Sequence, residues 1–251
     1  MIIWIASYPK NGNTWLRALL SAYYFTKDGN FIDDTNLHNI AQFPEKKYFN
    51  DFKYNQSIPG DTSKFWIKAQ EKINSDKKIR FFKTHNSLSK IGDIEFTDKN
   101  NSLGGIYIVR DPRNVISSMS NHFEMNYDEA LDFMKNEKKF TFDHFKKNDY
   151  SDFQFVSSWE NNYRSWKENK IMPVKFIRYE DLSKETFSVF KDIVNFIDKI
   201  CNNINKFNKK KLQRAIDSTS FEKLKKLEKN KGFLESITSK GNKKKIPFFH
   251  L

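Results

Sequence analysis

The first twenty residues restrict the fold more than any other part of the chain. Ile2-Ile3-Trp4-Ile5-Ala6 is a continuous apolar, largely β-branched run, and Thr14-Trp15-Leu16-Arg17-Ala18-Leu19-Leu20 follows with apolar residues at helical spacing. A strand with no polar face is buried on both faces, and such a strand belongs to a parallel sheet covered by helices. The loop between them, Ser7 to Asn13, holds Pro9 and Gly12 and is too short for anything but a tight turn.

The same alternation recurs. Arg80-Phe81-Phe82-Lys83-Thr84-His85 and Gly105-Ile106-Tyr107-Ile108-Val109-Arg110 read as strands ending in polar residues, and Pro112 opens a helix to about Phe123. Val156, Trp159, Tyr163 and Trp166 mark a helix before the strand Val174 to Tyr179, and Phe187, Phe190, Val194 and Ile197 mark the next. Thr219, with Glu222 three residues on, fits a capping box at the start of a further helix. Residues 26–66 are polar, dotted with aromatics and weakly periodic, which predicts loops and short helices forming a flap. Together these features predict an α/β fold with a central, mostly parallel sheet flanked by helices. Neither repeats nor a linker composition interrupts the 251 residues, so a single domain over 1–251 is expected.

Composition narrows the function classes. Hydrophobic residues form 38% of the chain, enough for a real core, which excludes a disordered or collagen-like chain. Forty-four Lys and Arg against 31 Asp and Glu give a net charge of +13, which favours anionic ligands without choosing among them. Lys and Asn are frequent throughout, so the total alone is weak ground for nucleic-acid binding. The single Cys201 excludes an internal disulfide and fits the reducing cytoplasm. No apolar run reaches the roughly 18 residues of a membrane span, and Ile2 to Ala6 lacks the length and basic flank of a signal peptide.

The loop before the first helix is the main candidate for chemistry. A helix N-terminus presents unpaired N–H groups and partial positive charge, so an anion can be cradled there. Gly12 lets the backbone approach, Asn13 and Thr14 add donors, and Lys10 adds a full charge. An ordinary turn capped by Asn or Thr would use the same residues. The order differs from the ATPase P-loop G-x-x-x-x-G-K-[ST], because Lys10 precedes the glycine and no second glycine stands at the required spacing.

Tyr8-Pro9-Lys10-Asn11-Gly12-Asn13-Thr14-Trp15 resembles the 5′-phosphosulfate loop of the cytosolic-type sulfotransferases, which read Tyr-Pro-Lys-Ser-Gly-Thr-Thr-Trp and use 3′-phosphoadenosine-5′-phosphosulfate (PAPS). Asn11 and Asn13 depart from that pattern but keep hydrogen-bonding side chains. Further segments match in the family's order. Arg110 at a strand end with Ser118 eight residues on resembles its 3′-phosphate motif, and Lys83-Thr84-His85 its catalytic segment. Tyr179-Glu180-Asp181 and Thr219-Ser220-Phe221 resemble its adenine-binding segments. Ser239-Lys240-Gly241 matches the closing Arg-Lys-Gly stretch only at Lys240 and Gly241, with Lys243 to Lys245 as substitute charge.

The resemblance implies a P-loop-like phosphosulfate loop after the first strand. It further implies sulfuryl transfer to a hydroxyl or amine of a small molecule or glycan, with 3′-phosphoadenosine-5′-phosphate (PAP) as product. By the same resemblance His85 is the general base, Lys10 stabilises the departing bridging oxygen, and Lys83 holds the transferring group. Trp15 and Phe221 would sandwich the adenine, with Tyr179 at its edge. No metal is implied. The dimerising tail of some relatives has no counterpart here, so the oligomeric state stays open. Residues 26–66 and 124–150 are expected to shape the acceptor pocket. Three other readings remain: an ATP-dependent small-molecule kinase, a basic nucleic-acid-binding protein using the Lys-rich stretch 205–245, and a non-catalytic member of the same family, to which the departures at Asn11, Asn13 and Ser239 point.

Overall fold

The computed structural model describes residues 1–142, 148–202, 207–233, 235–236 and 245–249. In chain order the elements are β1 (Ile2–Ala6), α1 (Asn13–Phe25), β2 (Ala41–Gln42), α2 (Trp66–Ile73), β3 (Arg80–Thr84), β4 (Ser102–Val109), α3 (Pro112–Phe123) and α4 (Tyr127–Lys135). They continue as β5 (Phe140–Thr141), β6 (Gln154–Phe155), α5 (Trp159–Lys167), β7 (Val174–Arg178), α6 (Tyr179–Lys184), α7 (Thr186–Ile200), α8 (Lys209–Ser218) and α9 (Phe221–Lys231). The fold is α/β, as its sequence pattern predicts.

The chain forms two compact units. The first comprises Met1–Pro9, Ala41–Val109 and Phe133–Ile177, and the second Lys10–Ile40, Arg110–Asp132 and Arg178–Leu251. The first unit carries a sheet of order β2-β3-β1-β4-β7, in which β1 pairs parallel with β3 and β4, and β2 parallel with β3. All five residues of β1 are fully buried, so both its faces are covered. Trp4, register partner of Phe82 and Gly105, is the centre of an aromatic core with Phe43, Phe96, Trp66 and Trp166. Its indole N–H donates to Ser102 Oγ at 2.7 Å, which removes the cost of burying a donor. Gly105 makes room for α5: a Cβ there would lie 3.1 Å from Trp166 Cζ3.

In the second unit α1 packs on α8 and on the turn Asp34–Asn39. Arg17 is buried within this packing, and its Nη2 donates to the carbonyls of Leu37 and Ile40 at 3.1 and 2.9 Å. Phe190, Val194 and Ile197 of α7 are buried, as their spacing predicts.

Several boundaries differ from the sequence reading, each for a local reason. Residues 26–66 are not a flap as a whole, because Phe43 and Phe49 are fully buried in the aromatic core and Ala41–Gln42 is an edge strand of the sheet. Val156 precedes α5, which starts at Trp159 behind Ser158, whose side chain accepts from Asn161 N. Tyr179 opens α6 rather than closing β7. Thr219 and Glu222 form no capping box: Thr219 Oγ1 donates to Ala215 O at 2.7 Å, closing α8, and Ser220 takes the N-cap position of α9.

Candidate active site

The chemistry-bearing residues fall into two groups, one in each unit. In the first unit, the pairing of β1 with β3 ends at Ala6 and Thr84, so His85 is the first residue beyond the ladder. It is half-buried. Its Nδ1 lies 2.8 Å from the Ser7 carbonyl oxygen. The Ser7 hydroxyl oxygen lies farther from the same nitrogen, at 3.2 Å, and can accept from it or donate to it. The carbonyl is the nearer partner and can only accept, which favours hydrogen on Nδ1 and, in the neutral ring, the basic lone pair on Nε2. The backbone of His85 is held as well: its N–H donates to Gln154 Oε1 at 2.7 Å, and its carbonyl accepts from Asn162 Nδ2 at 3.0 Å. Lys83, two residues back on β3, is half-buried, and its carbonyl accepts from Phe43 N at 2.9 Å. Nearby in sequence, Tyr8 is buried and its phenol is pushed up by desolvation, so it stays neutral.

In the second unit the loop before α1 turns sharply, with Lys10 at φ 64° and Gly12 at φ 96°, both left-handed. Between them Asn11 is fully buried, and neither its Oδ1 nor its Nδ2 has a hydrogen-bond partner among the described residues. The Lys10 ammonium lies 4.0 Å from the centre of the Phe248 ring. Asn13 begins α1, whose first turn has no acidic residue of its own. A carboxylate nevertheless reaches it, because Thr14 Oγ1 donates to Glu235 Oε2 at 2.5 Å and Arg17 pairs with the same carboxylate.

The remaining candidates of that unit gather around an aromatic pair. Trp15 donates from Nε1 to Thr219 O at 2.9 Å and meets Tyr179 edge-on at 5.8 Å. The Arg110 guanidinium stacks over Tyr179 at 4.5 Å, and its Nε is buried with no hydrogen-bond partner among the described residues. The acidic neighbours that would tie Arg110 into a surface salt bridge are otherwise engaged: Asp111 binds Arg113, and Glu180 Oε1 accepts from Asp111 N at 2.9 Å. Ser118 is half-buried in α3, and Ser220 half-buried ahead of α9. Phe221 packs on Phe249, 6.0 Å between ring centres. Lys240 and Gly241 lie outside the described residues, as does Ser239.

A protein-family model described as "Sulfotransferase domain" matches residues 2–250. The chain belongs to the sulfotransferase domain family. Among its relatives, the luciferin sulfotransferase of Photinus pyralis is 24% identical over 88% of this chain and 56% of its own length. The flavonol 3-sulfotransferase of Flaveria bidentis is 24% identical over 91% of this chain and 66% of its own length. The chain therefore spans little more than half to two thirds of these relatives. Mouse sulfotransferase SULT7A1, solved in complex with PAP, shares the fold with a TM-score of 0.53 at 21% identity, covering 89% of this chain and 65% of that one. Among the described residues no group of three or more His, Cys, Asp or Glu is placed to hold a metal, and no helix is long and apolar enough to cross a membrane.

The sequence alone does not single out Arg17, Glu235, Gln154 and Asn162. Arg17 leaves a visible signal, a lone cation among Leu16, Ala18, Leu19 and Leu20. The other three have none, because they meet their partners only through the fold.

Proposed function

We propose that residues 1–251 act as one sulfotransferase domain that moves the sulfuryl group of PAPS to a hydroxyl or amine of a small molecule or glycan and releases PAP. The observation that carries this reading is the loop ahead of α1, where the fully buried, unpartnered Asn11 amide stands beside a helix start. A buried amide without partners costs about 1–3 kcal/mol, and an anion at the helix start would accept from its Nδ2 and remove the donor's share of that cost.

The roles follow the family's motifs. As the acceptor oxygen or nitrogen bonds to sulfur, the bond from sulfur to the 5′-phosphate oxygen breaks. The acceptor's proton goes to Nε2 of His85, and the Lys10 ammonium balances the charge left on the phosphate oxygen. Lys83 holds the transferring group. Asn11, Gly12, Asn13 and Thr14 bind the 5′-phosphosulfate, Arg110 and Ser118 the 3′-phosphate, and Trp15, Tyr179, Thr219, Ser220 and Phe221 the adenosine. Lys240 and Gly241 complete the 3′-phosphate contacts. Positioning and electrostatics dominate such a transfer. The names of the relatives, a luciferin and a flavonol sulfotransferase, favour a small-molecule acceptor, and others named cytosolic favour the cytoplasm.

The test is transfer of sulfur label from PAPS to a panel of phenols, aliphatic alcohols, amines and oligosaccharides. Labelled product from at least one class, lost in His85→Ala, is expected. Absence of transfer to every class would contradict the reading.

A further inference from the structure

We propose that Gln154 and Asn162 are positioning residues that hold His85 in the tautomer with hydrogen on Nδ1. The proposal rests on the base reading of His85 for its catalytic meaning, while its structural content stands apart from that reading.

The argument starts from the end of the sheet. Through Thr84, the β3 backbone is fixed by parallel pairing with β1. The last link is a long one, Ser7 N to Thr84 O at 3.3 Å. One residue on, His85 has no strand to pair with, yet both its backbone groups are bonded by side chains. Gln154 Oε1, from β6, accepts its N–H at 2.7 Å, and Asn162 Nδ2, from α5, donates to its carbonyl at 3.0 Å. The two side chains do for His85 what a neighbouring strand would do. Both are buried, at 4% and 0% exposure.

Each is itself held in orientation. Asn162 Nδ2 also donates to Val156 O at 2.8 Å, and its Oδ1 accepts from Tyr107 Oη at 2.8 Å, so flipping the amide would lose both bonds to carbonyls, which can only accept. Gln154 sits on β6, which is bound to the segment after His85 by Phe155 N to Asn86 Oδ1 and Ser87 N to Phe155 O, both at 2.8 Å. With the backbone fixed at both ends of the residue, Nδ1 is held 2.8 Å from the Ser7 carbonyl and 3.2 Å from the Ser7 hydroxyl; the nearer carbonyl can only accept, and this favours the Nδ1–H form. Without that hold the neutral ring would exchange between tautomers, and Nε2 would carry the lone pair only part of the time. A positional error of about 1 Å at a reacting group can cost on the order of 100-fold in rate.

Long-range proton–nitrogen spectra of the imidazoles above their titration range report the tautomer directly, with His85→Ala assigning the signal. The wild type is expected to show the single Nδ1–H pattern for His85. Gln154→Ala, or the volume-matched Gln154→Leu should the first fail to fold, is expected to give averaged nitrogen shifts, and Asn162→Ala the same. Gln154→Glu, which keeps an oxygen acceptor for the His85 N–H, is expected to restore the single pattern. In parallel, label transfer should fall about 10- to 100-fold in Gln154→Ala with PAP affinity unchanged, and recover in Gln154→Glu. An unaltered single pattern in folded Gln154→Ala or Gln154→Leu would overturn the proposal, even with a lowered melting temperature. Full transfer by His85→Ala would instead overturn the base reading, and the tautomer pattern would still decide the role of Gln154 and Asn162.

Discussion

His85 and the loop from Lys10 to Trp15 are opposite cases of buried polar chemistry. Around His85 the protein satisfies its own groups: the backbone N–H, the carbonyl and Nδ1 all have partners from Gln154, Asn162 and Ser7. In the second unit, both amide atoms of Asn11 and the Nε of Arg110 are buried with no partner among the described residues. A fully bonded group is rigid before any ligand arrives, which suits a residue that must present one lone pair in one direction. An unbonded buried donor costs stability that a bound anion can return. On the proposed reading, the difference separates a preset proton acceptor from an anion seat held at some cost to the fold.

Substitution tests the contrast most strongly at His85. Removing a general base should lower turnover by roughly 10²–10⁴-fold, so His85→Ala is expected to lose transfer while binding PAP like the wild type in calorimetry. Nearly full turnover at saturating PAPS would show that the proton goes elsewhere.

At Asn11 the expected signs are opposite for stability and binding. Asn11→Ala removes an unsatisfied buried amide, so the ligand-free protein should be no less stable than the wild type, or more so by about 1 kcal/mol. Its affinity for PAPS should fall about tenfold, the equivalent of roughly 1.4 kcal/mol. A clear loss of ligand-free stability in a urea titration would mean that the amide already has a partner.

Glu235 marks where the contrast is incomplete, since its carboxylate already occupies Thr14 and Arg17 at the start of α1. Arg17 is nearly fully buried, so Glu235→Gln leaves a buried cation without its counter-charge and should cost about 1–2 kcal/mol, less than for a wholly buried pair. An unchanged melting temperature would remove the pair from the account of how α1 is held.

The smallest effect concerns Asp111, which caps α3 and binds Arg113. The Arg113 guanidinium and backbone N–H hold its carboxyl down at about 2. A folded-state value below the unfolded one means that the stabilisation is present above about pH 4 and is lost as pH falls toward 2. Acid unfolding of Asp111→Asn should therefore be flatter over that interval than that of the wild type.

The parts of this picture that were legible in the sequence are local. β1 is a wholly apolar run, β4 ends in one, and β3 and β7 hold apolar residues between Lys and Arg; the Tyr8 to Trp15 motif lies between β1 and a helical pattern. What was not legible depends on distance along the chain. His85 meets Gln154 and Asn162 across 69 and 77 residues, and Thr14 meets Glu235 across 221. Phe43 and Phe49 give no periodic signal of their burial, because they enter the core from short turns rather than from a helix face. The supposed capping box at Thr219 shows the remaining kind of error, since a hydroxyl near a helix start can as readily close the helix behind it.

The central claim, that the second unit seats a nucleotide with a 3′-phosphate, is tested most directly by thermal stabilisation with PAP, ADP and AMP at matched concentration, on the wild type and on Arg110→Ala. At about 100 times its dissociation constant a specific ligand contributes roughly 2.7 kcal/mol. The account predicts that gain with PAP alone, and its loss in Arg110→Ala. Equal stabilisation by all three nucleotides, or by none, would contradict it.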